Sequence, residues 1–223
     1  MIVHVYGGLC NRLRVILSYR ALHDAIQVVW PADGEIAGAR WSDVFAPLDG
    51  VEFLDDGIAE VRTLDPNLFA PAGWQGDYRN VKLLPEQLDV FSRLTVARPF
   101  GAMHVRRGDH VAFSRGHGTF TPDDEFVSWL QFAPERVYLA TDTAKSQRAA
   151  EAWIMSANRA PIVHSDIASH PEEDVGGRRN TSLAVAALDL FACASASVFK
   201  GTRDSSYTDT IELLRKIGGW WTP

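Results

Sequence analysis

The sequence predicts an α/β fold built on parallel sheets. Three observations carry this expectation. Short apolar runs of strand length recur along the chain. Each is followed by a turn and then by a stretch with helical spacing of its apolar residues, the pattern of strand–helix–strand crossovers. The chain has 223 residues with 46% hydrophobic and 22% charged side chains, enough apolar material to bury one large or two small cores.

The elements follow in order. Residues 2–6 read as a first strand, broken by Gly7-Gly8, with Asn11 placed to cap a helix over 12–26. Leu13, Ile16, Leu17 and Ala21 give that helix an apolar face. Residues 27–30 form a second strand stopped by Pro31, and 51–54 and 60–64 are short strand candidates. Residues 66–80 are rich in Pro, Gly, Asn and aromatics and read as loop. A helix over 84–94 has Pro85 in its first turn. A strand at 102–106 leads into a Gly-, Ser- and His-rich stretch, 108–121, that reads as loop. Pro122 and the acids Asp123, Asp124 and Glu125 then open a helix to about residue 132, since carboxylates favour a helix N-terminus. Strand 137–141, helix 143–157 and strand 161–164 follow. After a polar loop at 165–179 come helix 180–195, strand 197–200 and helix 205–217. A fresh strand begins after Arg98-Pro99, so the expected domains are 1–97 and 98–223.

Composition narrows the function. The formal net charge of −6 gives no basic footprint for nucleic acid, so an anionic ligand must meet a local group of arginines. Cys10 and Cys193 stand far apart and make neither a zinc pattern nor a disulfide framework. No apolar run approaches the ~20 residues of a membrane span, and the first residues read as a strand and not as a leader. The expectation is a cytoplasmic protein with no membrane span.

Four clusters fall at strand ends, where α/β proteins place ligands. The first is Gly7-Gly8-Leu9-Cys10-Asn11-Arg12-Leu13-Arg14, a strand-to-helix turn that matches neither a dinucleotide fingerprint nor a Walker loop. The second is His104-Val105-Arg106-Arg107-Gly108-Asp109-His110. His104 and Arg106 share one face of their strand, and paired guanidiniums suit a diphosphate. An ion pair between one arginine and Asp109 on a solvated loop accounts for the same residues. The third, Leu139-Ala140-Thr141-Asp142-Thr143, offers Thr141 or Asp142 as a helix cap. The fourth runs from Asn180-Thr181-Ser182 through Asp189 to Gly201-Thr202-Arg203-Asp204-Ser205-Ser206-Tyr207. Asp189 is a lone acid in an apolar helix and needs a hydrogen-bond donor, which a purine edge or an arginine would supply. Ser205-Ser206 begin a helix, where hydroxyl and N–H groups can both reach an anion.

In this order, GGLCNRLR, HVRRGDH, YLATDT, NTSLAVAALDL and GTRDSSY resemble the superfamily of the α1,6-, α1,2- and protein O-fucosyltransferases and the rhizobial nodulation fucosyltransferases. The motifs hold about a fifth of the residues. The resemblance implies a GT-B-like architecture of two small Rossmann-like halves, the second binding the sugar nucleotide and the first serving the acceptor. It implies a GDP-fucose donor, a glycan acceptor, inversion at the transferred carbon, and no cofactor or metal. Carried over residue by residue, Arg106 binds the diphosphate with Arg107 in support. His104 and Asp189 recognise guanine, Ser205 and Ser206 contact phosphate, and Asp142 supports the pocket. Asn11 and Arg12 face the donor sugar or the acceptor.

The sequence also departs from the family. The α1,6 enzymes carry a Glu a few positions after the arginine pair, but Val111-Ala112-Phe113-Ser114-Arg115 holds no acid here. Asp109 is the nearest substitute base, ahead of Asp123, Asp124 and Glu125. Thr143 stands where the family has a second Asp. Two further readings follow: a GDP-sugar-binding protein without transferase activity, and a transferase for another nucleoside-diphosphate sugar. His104, His110 and His117 match no metal-site spacing. Trp74, Tyr78 and Trp220-Trp221 read as packing residues ahead of a sugar platform.

Overall fold

The structure, a computed structural model, describes residues 1–31, 39–54, 61–62, 76–96, 99–108, 110–164 and 181–218, with backbone alone at 61–62. Two compact units emerge. One comprises Met1–Leu88 with Ser182–Ala187, and the other Asp89–Thr181 with Leu188–Thr222. Each is built on its own four-stranded parallel sheet.

In the first unit, β1 (Ile2–His4) leads into α1 (Leu9–Leu22), followed by β2 (Ile26–Val29), β3 (Val51–Leu54) and β4 (Val61–Arg62). The order across the sheet is β3-β2-β1-β4. Val3 aligns with Val28, and Val28 with Phe53, so the apolar runs stack across the sheet. Helix α1 begins earlier than residue 12: Gly8 occupies the N-cap, Leu9 the first turn, and Asn11 lies inside the helix. The sequence pointed to Asn11 because its side chain suits a cap, but Gly7 at φ +77 completes the turn before it. Trp30, Trp41, Phe45 and Phe53 pack ring against ring beside the sheet.

Helix α2 (Pro85–Thr95) carries the chain across the boundary between units. The second unit contains β5 (Gly101–Val105), α3 (His110–Gly116), α4 (Asp123–Leu130), β6 (Arg136–Thr141), α5 (Ala144–Ser156), β7 (Ala160–Ile162), the part of α6 (Leu183–Ser195) from Leu188 on, β8 (Val198–Lys200) and α7 (Ser206–Ile217). Its order is β7-β6-β5-β8. All five residues of β5 are buried, as a strand covered on both faces must be. Met103, Val105, Leu139, Phe126, Leu130 and Ile154 form the core between sheet and helices.

One expected loop is a helix. Residues 110–116 coil as α3 despite the Gly, Ser and His that mark the stretch. Burial of His110 and Ser114 fixes it, and Gly118 at φ +70 follows its end. The expected readings at 66–75, 165–180 and Trp220-Trp221 lie outside the described residues, as does Asp109. Tyr78 sits in a short 3-10 turn and is buried, not displayed as a platform. Among the described residues, no helix is long and apolar enough to cross a membrane.

Candidate functional site

The chain runs from β5 outward to β6 and β7, then returns to place β8 on the other side of β5. The direction of winding reverses between β5 and β8, and a crevice opens at the carboxyl ends of such a pair. His104, Arg106, Arg107, Thr202 and Ser205 all fall at this edge, on or just after β5 and β8.

The edge is held by side chains that tie main chain to main chain. The Thr202 hydroxyl donates to the His104 carbonyl at 2.9 Å and accepts from the Arg106 N–H at 3.0 Å. The Asp142 carboxylate, at the end of β6, accepts from the consecutive N–H groups of Arg107 and Gly108, both at 3.0 Å. Asp142 is therefore not the cap of α5. Thr143 is, its hydroxyl accepting from Ser146 N–H at 3.1 Å. Burial pushes the Asp142 carboxyl up, against the pull of the two N–H groups and the Arg106 charge.

The two arginines are treated differently. Arg107 turns toward α4, where its guanidinium pairs with Asp123 at 2.7 Å and lies about 5 Å from the rings of Phe120 and Phe126. Arg106, half-buried, carries the charge that reaches Asp142. Of the two arginines, Arg107 is the one tied to α4 and Arg106 the one whose charge acts on Asp142.

The purine-side candidates are both buried. His104 Nδ1 lies 2.9 Å from the Thr208 hydroxyl, and its ring packs at 4.8 Å against Tyr207. Asp189 accepts from the Tyr138 hydroxyl at 2.7 Å, so its donor is a tyrosine on β6, which spacing could not reveal. Burial raises the Asp189 carboxyl to about 7, with the Tyr138 hydrogen bond pulling the other way. The same burial lifts Tyr138 and Cys193 above their ordinary ranges.

The β8–α7 loop is fastened at several points. Arg203 N–H donates to Thr121 at 2.9 Å, its carbonyl lies 2.8 Å from His110 Nε2, and its guanidinium pairs with Glu125. Lys200 pairs with the other oxygen of Glu125, and its hydrogen bond is the main reason that carboxyl titrates below its usual range. Asp204 adopts φ +51, turning the chain into α7. There Ser205 is the N-cap, fully buried, and its hydroxyl has no hydrogen-bond partner among the described residues. Ser206 begins the helix, its carbonyl held by Thr210. Thr121 had no part in the sequence reading, and Tyr138, Thr202 and Glu125 entered it only as motif members or as a distant base candidate, because nothing in their local pattern marks these partners.

In the first unit, Arg12 is fully buried. Its guanidinium donates to the Gly7 carbonyl at 2.6 Å and the Pro31 carbonyl at 2.7 Å, and lies over the Trp30 ring. It shapes the turn after β1. Asn11 Oδ1 is buried beside it in the helix and has no hydrogen bond among the described residues. Among the described residues no three His, Cys, Asp or Glu side chains gather in a way that could hold a metal.

No protein-family model matches the sequence, and no curated protein matches it. Solved structures do. The NodZ α-1,6-fucosyltransferase soaked with GDP-fucose is 14% identical, with a TM-score of 0.53 over 96% of this chain and 91% of that one. The fucosyltransferase NodZ from Bradyrhizobium is 13% identical, with a TM-score of 0.54 over 96% and 92%. The chain has the two-sheet parallel α/β fold of the NodZ fucosyltransferases, a GT-B-type fold.

Proposed function

We propose that the chain is an inverting glycosyltransferase that moves fucose from GDP-fucose to a glycan hydroxyl without a metal. The observation that carries this reading is the edge between β5 and β8, where the turn after β5 carries Arg106 and the loop after β8 carries an N-cap serine whose buried hydroxyl has no hydrogen-bond partner among the described residues. A buried hydroxyl is costly to leave unpaired, and phosphate oxygen would satisfy it together with the first N–H groups of α7. Arg106 would stabilise the charge that grows on the departing diphosphate. His104 and Asp189 would read the guanine edge from the same side of the sheet. The NodZ likeness and its GDP-fucose soak support the choice of donor.

The test is GDP release from GDP-fucose in the presence of oligosaccharide acceptors. Arg106→Ala is expected to lower turnover by about 10²–10³-fold, the size seen when one donor to a developing anion is removed. Undiminished turnover sinks the mechanism. Binding of GDP and GDP-fucose with no turnover on any acceptor would favour a nucleotide-sugar-binding protein. A donor other than GDP-fucose would keep the transferase and change the sugar.

A further inference from the structure

Transfer to a hydroxyl needs a group that takes its proton. Val111–Arg115 holds no acid, and Asp109, the base the sequence suggests, is the competing candidate next to His110. From the geometry of α3 we infer that His110 is the general base of the reaction. The inference rests on the fucosyl-transfer reading.

The argument begins with a hydrogen bond. His110 Nε2 lies 2.8 Å from the Arg203 carbonyl oxygen, which can only accept. Nε2 is therefore protonated, and in the neutral ring Nδ1 keeps its lone pair. Nδ1 has no hydrogen bond among the described residues. The Arg203 carbonyl fixes both tautomer and ring orientation, as a fixed acceptor does for a catalytic histidine elsewhere. The anchoring loop also carries Ser205, so one loop places the diphosphate contact and the base in register.

The surroundings suit a sugar. Phe113 lies one turn along α3, its ring 5.9 Å from His110 and 4.3 Å from His117, and it is 52% exposed. A large aromatic left open beside a reactive edge offers a flat apolar face to a sugar ring. Among the described residues, the loop that supplies the carbonyl also carries Arg203 and Asp204, and α3 carries Arg115; Arg203 is paired with Glu125.

The step balances. The acceptor oxygen bonds to the anomeric carbon as its proton passes to Nδ1, and the bond from that carbon to the diphosphate oxygen breaks. GDP leaves with the electron pair. The imidazolium then returns its proton to water.

The experiment uses the whole chain and follows GDP release from GDP-fucose across pH, with water as nucleophile and again with lactose added. His110→Gln keeps an N–H for the Arg203 carbonyl and loses the basic lone pair. It should melt with the wild type and bind GDP equally well, lose about 10²–10⁴-fold in kcat, and lose the acid limb of the wild-type profile. His110→Ala should regain turnover when imidazole is added. Undiminished turnover in the Gln variant, or an acid limb that persists in it, overturns the assignment of His110 alone. Wild-type protein that neither binds GDP nor releases it from GDP-fucose overturns the transferase reading with it.

Discussion

Asp189 ties a buried carboxyl to the pH dependence of stability. Its carboxyl is raised to about 7 by burial, against about 3.9 in an unfolded chain. The folded protein therefore holds this proton more tightly than the unfolded one. The stability it contributes is complete below the ordinary carboxylate range and is lost as pH rises through about 7. Asp189→Asn keeps an acceptor for the Tyr138 hydroxyl and removes the charge. The variant should be more stable than the wild type at pH 8, by on the order of 2–4 kcal/mol, and the gain should vanish near pH 4 in thermal melts. If Asp189 reads guanine, GDP affinity measured by calorimetry should fall in the same variant. Retention of a costly charge would then mark a functional position. Asp142 shifts in the same direction, but its carboxylate already accepts two main-chain N–H groups, so its loss should unfasten the Arg107–Gly108 turn.

At the scale of elements, α7 sets the shape of the edge through a close approach. A Cβ on Gly201 would stand 2.2 Å from the Thr208 methyl and 2.7 Å from its hydroxyl, which meets His104. Gly201→Ala should therefore push α7 off β8 and loosen His104. The expected cost is about 1–3 kcal/mol, or several degrees in Tm for a chain of this size. Thr208→Ser in the same chain removes the clashing methyl and keeps the hydroxyl, so it should recover part of the loss. Thr143→Ala should cost about 1 kcal/mol by removing the α5 cap while leaving GDP binding intact, since capping and the Asp142 contacts are separate jobs. The edge was legible in the sequence where a motif ends a strand, as with Arg106, Ser205 and Ser206. It was not legible at α3, whose helical state depends on side chains burying against residues far along the chain.

For the whole molecule, the proposal predicts ligand-dependent stability. GDP at a hundredfold excess over its Kd should add about 2.7 kcal/mol by mass action. In a chain of this length that corresponds to a rise in Tm of about 5–10 °C. UDP should give little or none, and equal shifts with both nucleotides would count against guanine recognition. The measurement needs no acceptor, so it separates donor choice from catalysis.

Alternating strand-sized runs and amphipathic stretches determined, by themselves, the α/β class, the parallel sheets and the strand ends at which chemistry would sit, because period and turn chemistry are local properties. The tertiary structure decided which side chains meet there. It gave Asp189 to Tyr138, Asp142 to the Arg107–Gly108 main chain, Arg107 to Asp123 and Arg12 to the turn after β1. Each partnership except the last joins residues far apart along the chain, and hydrogen-bond partners at such separations are set by the packing of elements, which spacing along a chain does not encode.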